Sequence, residues 1–468
     1  MFKKVLSYFK EICSIPHGSG NTQMLSDYCV NFAVSHSLRY IRDEKGNIII
    51  FKEGSDGYET CPAVILQGHL DMVCVKDENT AIDFETQGLT LKENDDFIWA
   101  NGTSLGGDDG IAIAFALAIL DSSKIEHPPL EVVFTVDEET GMIGANALNM
   151  APLTSKMLIN IDSEEEGTLL VSCAGGIRAD AKLSVASISA NTEALKISLS
   201  GLTGGHSGTE IDKGRLNAAI TAAKLLQNED GIYLSSIKSG SADNAIPSSC
   251  EAVVVCKNKE SFIKSVTEKF QTLKSENVQQ EPDITLDFSK VHSDKIISEA
   301  DTKKVIDCIA TAPDGIVSFS RNVKGLVQTS LNLGIVKTNE SEIIMSHALR
   351  SSVQKEKEEL CSTLSKHYEN FGASTVFHSD YPAWEYKENS SLRQVFSLAY
   401  KEQSGKDLKI SAIHAGLECS IFCGKIDGLD CVSFGPDIYN IHTSDEKLSK
   451  KSAERMFYLL LSVLKKLN

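Results

Sequence analysis

Apolar residues recur at helical spacing in the first thirteen positions, MFKKVLSYFKEIC, where Phe2, Val5, Leu6, Phe9 and Ile12 share one face. The turn SIPHGSGN separates this helix from a second amphipathic one in TQMLSDYCVNFAVSHSL. GNIIIFKEG and CPAVILQGHLD then read as strands, the second apolar enough to be buried on both faces. Residues 110–123, GIAIAFALAILDSS, form a strongly apolar helix. LEVVFTVDEETG and MLINIDSEEEG are two further strands, each running straight into acidic residues. Strands alternating with helices predict an α/β fold with a largely parallel sheet.

The pattern changes from about residue 195. ALKISLSGL and CEAVVVCKN read as strands, each followed by a helix, in RLNAAITAAKLLQN and ESFIKSVTEKFQTLKSE. LVQTSLNLGIVKTNESEIIMSHALRSS predicts a hairpin, residues 354–370 another helix, and the polar stretch SENVQQEPD a linker. After DYPAWEYKENSS the first style returns, ending in a terminal helix. A chain of 468 residues exceeds one ordinary core. The expected organisation is one discontinuous domain, residues 1–186 and 383–468, interrupted by an α+β insert with antiparallel strands at 187–382.

Composition sharpens this picture. Hydrophobic residues make up 42% and charged residues 24%, an ordinary globular balance. The net charge of −18 repels phosphate backbones and anionic lipid, which argues against nucleic-acid and membrane partners. Twelve cysteines lie scattered without a C-x-x-C, many inside apolar segments. That is the pattern of buried, reduced thiols, and it predicts a cytoplasmic protein. The N-terminal lysines interrupt any signal-peptide core, and no apolar run approaches the ~18 residues of a membrane span.

Four apolar runs end in ionisable groups: His69 and Asp71; Asp108 and Asp109 in LGGDDG; Asp137, Glu138 and Glu139 in VDEETG; and Asp162 in NIDSEEEG. Ligands of open α/β sheets bind at the carboxyl ends of strands, so these motifs converge on one edge. Taken singly, each has a plainer reading: a satisfied core histidine, a glycine–aspartate turn, a helix N-terminus, a solvated acidic loop. Together, so many carboxylates repel one another unless positive charge lies between them. Histidine with carboxylate suits zinc, cobalt or manganese.

In this order and placement, GHLDMV, GGDDG, DEETG and NIDSEEEG resemble the motif series of the M20 metallopeptidases. GLTGGHSG, VQTSLNLG, HAGLEC and HTSDEK are similar to its dipeptidase branch, and the resemblance runs from the first helix to the last. It implies two divalent metal ions, zinc above all, with cobalt or manganese as alternatives. One would be held by His69 and Asp162, the other by Glu139 and His442, with Asp108 bridging both. Glu138 would be the general base acting on a metal-bridged water, and Asp71 the acceptor that orients His69. The resemblance further implies a cis peptide between Asp108 and Asp109. It also implies that the insert is a lid and dimerisation domain of a homodimer. From that lid, His206 would hold the developing oxyanion and Arg350 the substrate carboxylate. Asn217, His414, Gly416 and Glu418 are candidate substrate contacts, Glu418 for a substrate amine. The expected activity is broad-specificity hydrolysis of dipeptides, with Xaa-His as a candidate substrate class.

Two other classes compete. GTSLG fits a nucleophile elbow at Ser104, but Gly107, Asp108 and Asp109 intervene before the helix and no HGGG segment occurs. A non-catalytic metal-dependent scaffold would keep the ligands and lose the base, yet Glu138 is present. Deacylases, carboxypeptidases and tripeptidases with the same metals are the nearer alternatives.

Overall fold

Four parallel strands, nearly every residue of them buried, run through the middle of the main sheet of the first unit. In this computed structural model, which describes residues 1–468, their order is Leu130–Thr135, Val64–His69, Met157–Asn160, Asp430–Ser433. Covered on both faces, such strands must be largely apolar, which is why hydrophobic residues dominate them, with Gln67 and Glu131 as buried polar exceptions. Antiparallel pairing adds Ile48–Lys52 and Arg39–Arg42 on one side and Thr168–Cys173 on the other, and Lys409–Ile413 at the far edge completes eight strands. The register sets His69 opposite Thr135 and Gln67 opposite Asn160. The acidic segments that follow these strands therefore emerge on the same side.

This unit comprises Met1–Cys173, Trp384–Ala412 and Leu417–Asn468. Its central helix, Gly107–Leu120, has all fourteen residues buried, as expected of a helix apolar all round. The helix begins and ends three residues earlier than the 110–123 expected, because the GGDD segment is drawn into its first turn. Phe9 of the helix Phe2–Cys13 lies against its Gly110, and Phe115 packs on Phe457 of the terminal helix Lys450–Lys466 with ring centroids 5.3 Å apart. A small antiparallel sheet not anticipated from sequence, Ile438–Tyr439, Lys447–Ser449, Phe97–Ala100 and Leu91–Glu93, flanks the segment 440–446. Its strands are too short to show a period.

The second unit, Ala174–Ala383 with Ile413–Gly416, is built on a sheet of nine strands whose neighbours pair antiparallel. The hairpin is Val327–Thr338 with Glu342–Ser351, and the helices include Ala218–Leu226, Lys259–Glu276 and Gln354–Asn370. Two expectations change. Gly175–Ser184, placed with the first domain by the sequence pattern, pairs with Glu342–Ser351 and Ser374–Tyr381 in this second sheet. The expected linker SENVQQEPD contains Glu281, which is fully buried and accepts the N–H groups of Thr203 and Leu216. All twelve cysteines are free, most of them buried. No helix is long and apolar enough to cross a membrane.

Candidate metal centre

The strand Val64–His69 ends against the start of the central helix. A Cβ on Gly68 would lie 2.6 Å from Asp109 Oδ2 and 2.7 Å from Ala112 Cβ, so only glycine admits so close an approach. The His69 N–H donates to Asp109 Oδ2 at 3.1 Å. His69 Nδ1 lies 2.9 Å from the main-chain carbonyl of Asp71, which assigns the proton to Nδ1 and frees the Nε2 lone pair. That Nε2 faces Asp108 Oδ1 at 3.0 Å and Asp162 Oδ1 at 3.4 Å.

Asp71 orients His69 differently from expectation. Its carboxylate Oδ1 is 3.6 Å from Nδ1, farther than its own carbonyl. The carboxylate instead accepts the N–H of Glu138 at 2.9 Å, that of Glu139 at 3.2 Å and the Ser19 hydroxyl at 2.8 Å. It clamps the turn carrying both glutamates, a turn entered through Asp137 in the left-handed region at φ 53°. Glu139 Oε1 lies 2.8 Å from His442 Nε2, which is also 3.3 Å from Asp108 Oδ2. Each oxygen of Asp108 thus faces one imidazole, His69 on one side and His442 on the other. The peptide joining Asp108 to Asp109 is cis.

Donor atoms of His69, Asp109 and Asp162, of His69, Glu138 and Glu139, and of Asp108, Glu139 and His442 form groups whose atoms lie within 4.8 Å of one another. Burial, with the negative charges of Asp162 and Asp108 nearby, pushes the Glu138 carboxyl well up despite the opposing pull of His69. Asp162 is pushed up by burial too, with Asp108 and Glu164 adding to it. Hydrogen bonds to Asp108 and Glu139 drive His442 up to about 10. Burial disfavours a charged His69, yet the carboxylates of Asp162, Asp108 and Asp71 outweigh it. Acids that resist ionising beside imidazoles that attract protons describe a site short of positive charge. Imidazole nitrogen with carboxylate oxygen is a donor set that fits divalent zinc, cobalt or manganese.

Gln67, Thr135, Asn160 and Glu446 were not singled out in the sequence reading. Gln67, the one polar residue in VILQG, donates to Glu418 Oε2 at 2.5 Å and accepts from Asn160 at 2.6 Å, and the Thr135 hydroxyl donates to the same Glu418 oxygen at 2.6 Å. Glu418 is fully buried, and burial together with Glu138 pushes its carboxyl up to about 8. Both donors meet its Oε2, while its buried Oε1 has no partner. Asp109 joins the cluster, and Glu446 accepts from the loop that leads into Asp108. Ser104 is buried, with its hydroxyl donating to the Val73 carbonyl at 2.6 Å and accepting the Val75 N–H at 3.1 Å, so it is no nucleophile.

The second unit gathers its own polar groups. His206 Nδ1 accepts the N–H of Gly208 at 3.3 Å and of Thr209 at 3.1 Å, which leaves the proton on Nε2 as a donor. Arg350 is buried, donating to the Tyr381 hydroxyl at 3.2 Å while its Nε finds no partner. His414 is held at 2.7 Å from the Ser330 hydroxyl through Nε2, and its buried Nδ1 is unpartnered. Burial, then the charge of Arg350, lowers both His206 and His414, the latter to about 3. Gly416 belongs to the same short segment as His414. Asn217 is a helix cap rather than a substrate contact. Its Oδ1 accepts from Ala219 and Ile220 at the start of Ala218–Leu226, and its Nδ2 donates to Asp314 and to the Leu333 carbonyl.

Residues 65–466 match the model of peptidase family M20/M25/M40. The chain is 35% identical over 467 residues to the cytosol non-specific dipeptidase of Escherichia coli (strain K12), covering 98% of this chain and 96% of that one. Its structure is similar to that of an aminoacylhistidine dipeptidase from Vibrio alginolyticus, with a TM-score of 0.91 and 33% identity over 99% of this chain and 96% of the other. A tripeptidase from Staphylococcus aureus subsp. aureus Mu50 shares the fold at a TM-score of 0.58 and 17% identity, over 100% of this chain and 98% of that one. An α/β sheet with a central strand that ends at His69, beside Asp108 and His442, matched over almost the whole chain by such relatives, places this protein in peptidase family M20/M25/M40.

Proposed function

We propose that this protein hydrolyses dipeptides, including Xaa-His, using two divalent metal ions, zinc in first place and cobalt or manganese as alternatives. The observation that carries the reading is Asp108, whose two carboxylate oxygens each face a different imidazole. His69 and Asp162 would hold one cation, Glu139 and His442 the other, with Asp108 shared. Bound there, the cations would neutralise the acids, acidify a water and polarise the scissile carbonyl. Glu138, its backbone fixed by Asp71, would take the proton of the attacking water on its carboxylate and deliver it to the departing amine nitrogen. The second unit would act as a lid and dimerisation domain. It supplies Arg350, a buried guanidinium with an unsatisfied N–H suited to a peptide carboxylate, and His206, whose Nε2–H suits an oxyanion. His414, with Nδ1 unpartnered, and Gly416 would complete the substrate contacts. A cytoplasmic location accords with twelve free thiols and with the name of the Escherichia coli relative, whereas the homodimer rests on the family resemblance alone.

The test is a panel of free dipeptides, tripeptides and N-acyl amino acids, assayed after chelation and after return of zinc, cobalt or manganese. Dipeptides should be cleaved best, and only with metal restored. Activity that survives complete stripping would remove the metal-dependent reading; preference for N-acyl amino acids or tripeptides would redirect it within the family.

A further inference from the structure

Glu446 is an acid with only 3% of its surface exposed. Its Oε2 accepts the N–H of Leu105 at 2.7 Å and of Gly106 at 3.2 Å, and its Oε1 accepts those of Gly107 at 2.8 Å and Asp108 at 3.4 Å. A buried carboxylate is costly unless its oxygens are satisfied. Here four consecutive amides at the start of the helix Gly107–Leu120 satisfy it. Gly106 allows the wrap by adopting φ 67°.

The same side chain reaches across to a second functional element. Glu446 lies four residues after His442, in the loop between Ile438–Tyr439 and Lys447–Ser449. Asn440 and His442 in that loop stand at φ 55° and 59°, a left-handed conformation that non-glycine residues keep only when their surroundings impose it. One carboxylate therefore ties the loop that carries His442 to the loop that carries Asp108. With both oxygens taken by amides, it is placed to set ligand positions rather than to ligate.

We propose that Glu446 is a positioning residue that fixes the separation of Asp108 and His442, and so selectively sets cation affinity at the group Asp108–Glu139–His442. The inference rests on the two-cation reading above and adds to it a residue that touches neither cation nor substrate.

The test is calorimetric titration of stripped, full-length protein with Zn(II) and, separately, Co(II). Wild type, Glu446→Ala and Glu446→Gln are compared, with Glu131→Gln as control. Glu131 is also a buried acid that accepts backbone N–H groups, those of Thr154 and Ser155, but it sits opposite Ile65, four residues down the strand from His69. In Glu446→Ala one of the two binding events should weaken by roughly 10–100-fold while the other stays within a few-fold of wild type. Glu446→Gln should fall between, since its amide oxygen can serve two of the N–H groups while its NH2 opposes the rest. Being isosteric, it carries the test alone if Glu446→Ala does not fold. Glu131→Gln should lower the melting temperature and leave both affinities intact. Equal loss at both sites, or no loss at either, would overturn the positioning role. Fewer than two cations on wild type would instead fail the underlying reading, and this inference with it.

Discussion

Glu138 and Glu139 are neighbours in sequence with opposite duties. Glu139 lies against His442 at 2.8 Å, whereas Glu138 is half-buried near Asp162, Asp108 and His69. Asp71 fixes both backbone N–H groups, so neither glutamate can wander into the other's place. If Glu138 moves the proton, Glu138→Gln should cut kcat by about 10²–10⁴-fold with metal content unchanged. Turnover near wild type in a fully loaded variant would remove that role. Arg350 acts differently, because a carboxylate grip contributes to ground state and transition state alike. Arg350→Ala should chiefly raise KM for free dipeptides, and steady-state kinetics indistinguishable from wild type would reject it.

At the scale of elements, much of the first unit was legible because strands buried on both faces must be mostly hydrophobic along their length. VILQG, LEVVFT and MLIN announce themselves that way, and an acid directly after such a run marks the sheet edge where ligands collect. What stayed hidden depends on contacts distant in sequence. Nothing in HTSDEK shows that Glu446 turns back onto amides 105–108, and nothing in GRLNAAI shows that Asn217 spends both ends of its amide on a cap and on Asp314. Gly175–Ser184 has alternating burial like many strands, so its pattern could not say which sheet it joins. The second sheet carries a testable feature of its own. His347, on the strand Glu342–Ser351, is fully buried with Nε2 2.5 Å from the Tyr368 hydroxyl on the helix Gln354–Asn370. Burial, with His367 adding to it, lowers His347 to about 3, below the ~6.5 of an unfolded chain. The fold therefore prefers the neutral ring. Its contribution is complete above pH ~6.5 and is lost as pH falls towards 3, by at most ~1.4 kcal/mol per pH unit. Urea unfolding across that range should show a shallower acid-side decline in His347→Gln than in wild type. Parallel profiles would contradict a neutral buried ring.

At the scale of the whole molecule, the polypeptide is matched over 98% of its length by a relative named as a dipeptidase, and every candidate metal ligand lies in the first unit. Those ligands come from segments nearly four hundred residues apart, from His69 to His442, joined only through the sheet and the loops it supports. Four of the chain's 64 acids, Asp108, Glu138, Glu139 and Asp162, are gathered there around His69 and His442. The most direct measurement is crystallographic: anomalous scattering at the zinc edge from crystals of the full chain grown with zinc. Two peaks about 3.5–4 Å apart are expected, one beside His69 and Asp162, one beside Glu139 and His442, with Asp108 reaching both. A single peak, or zinc bound anywhere but among these five side chains, would contradict it.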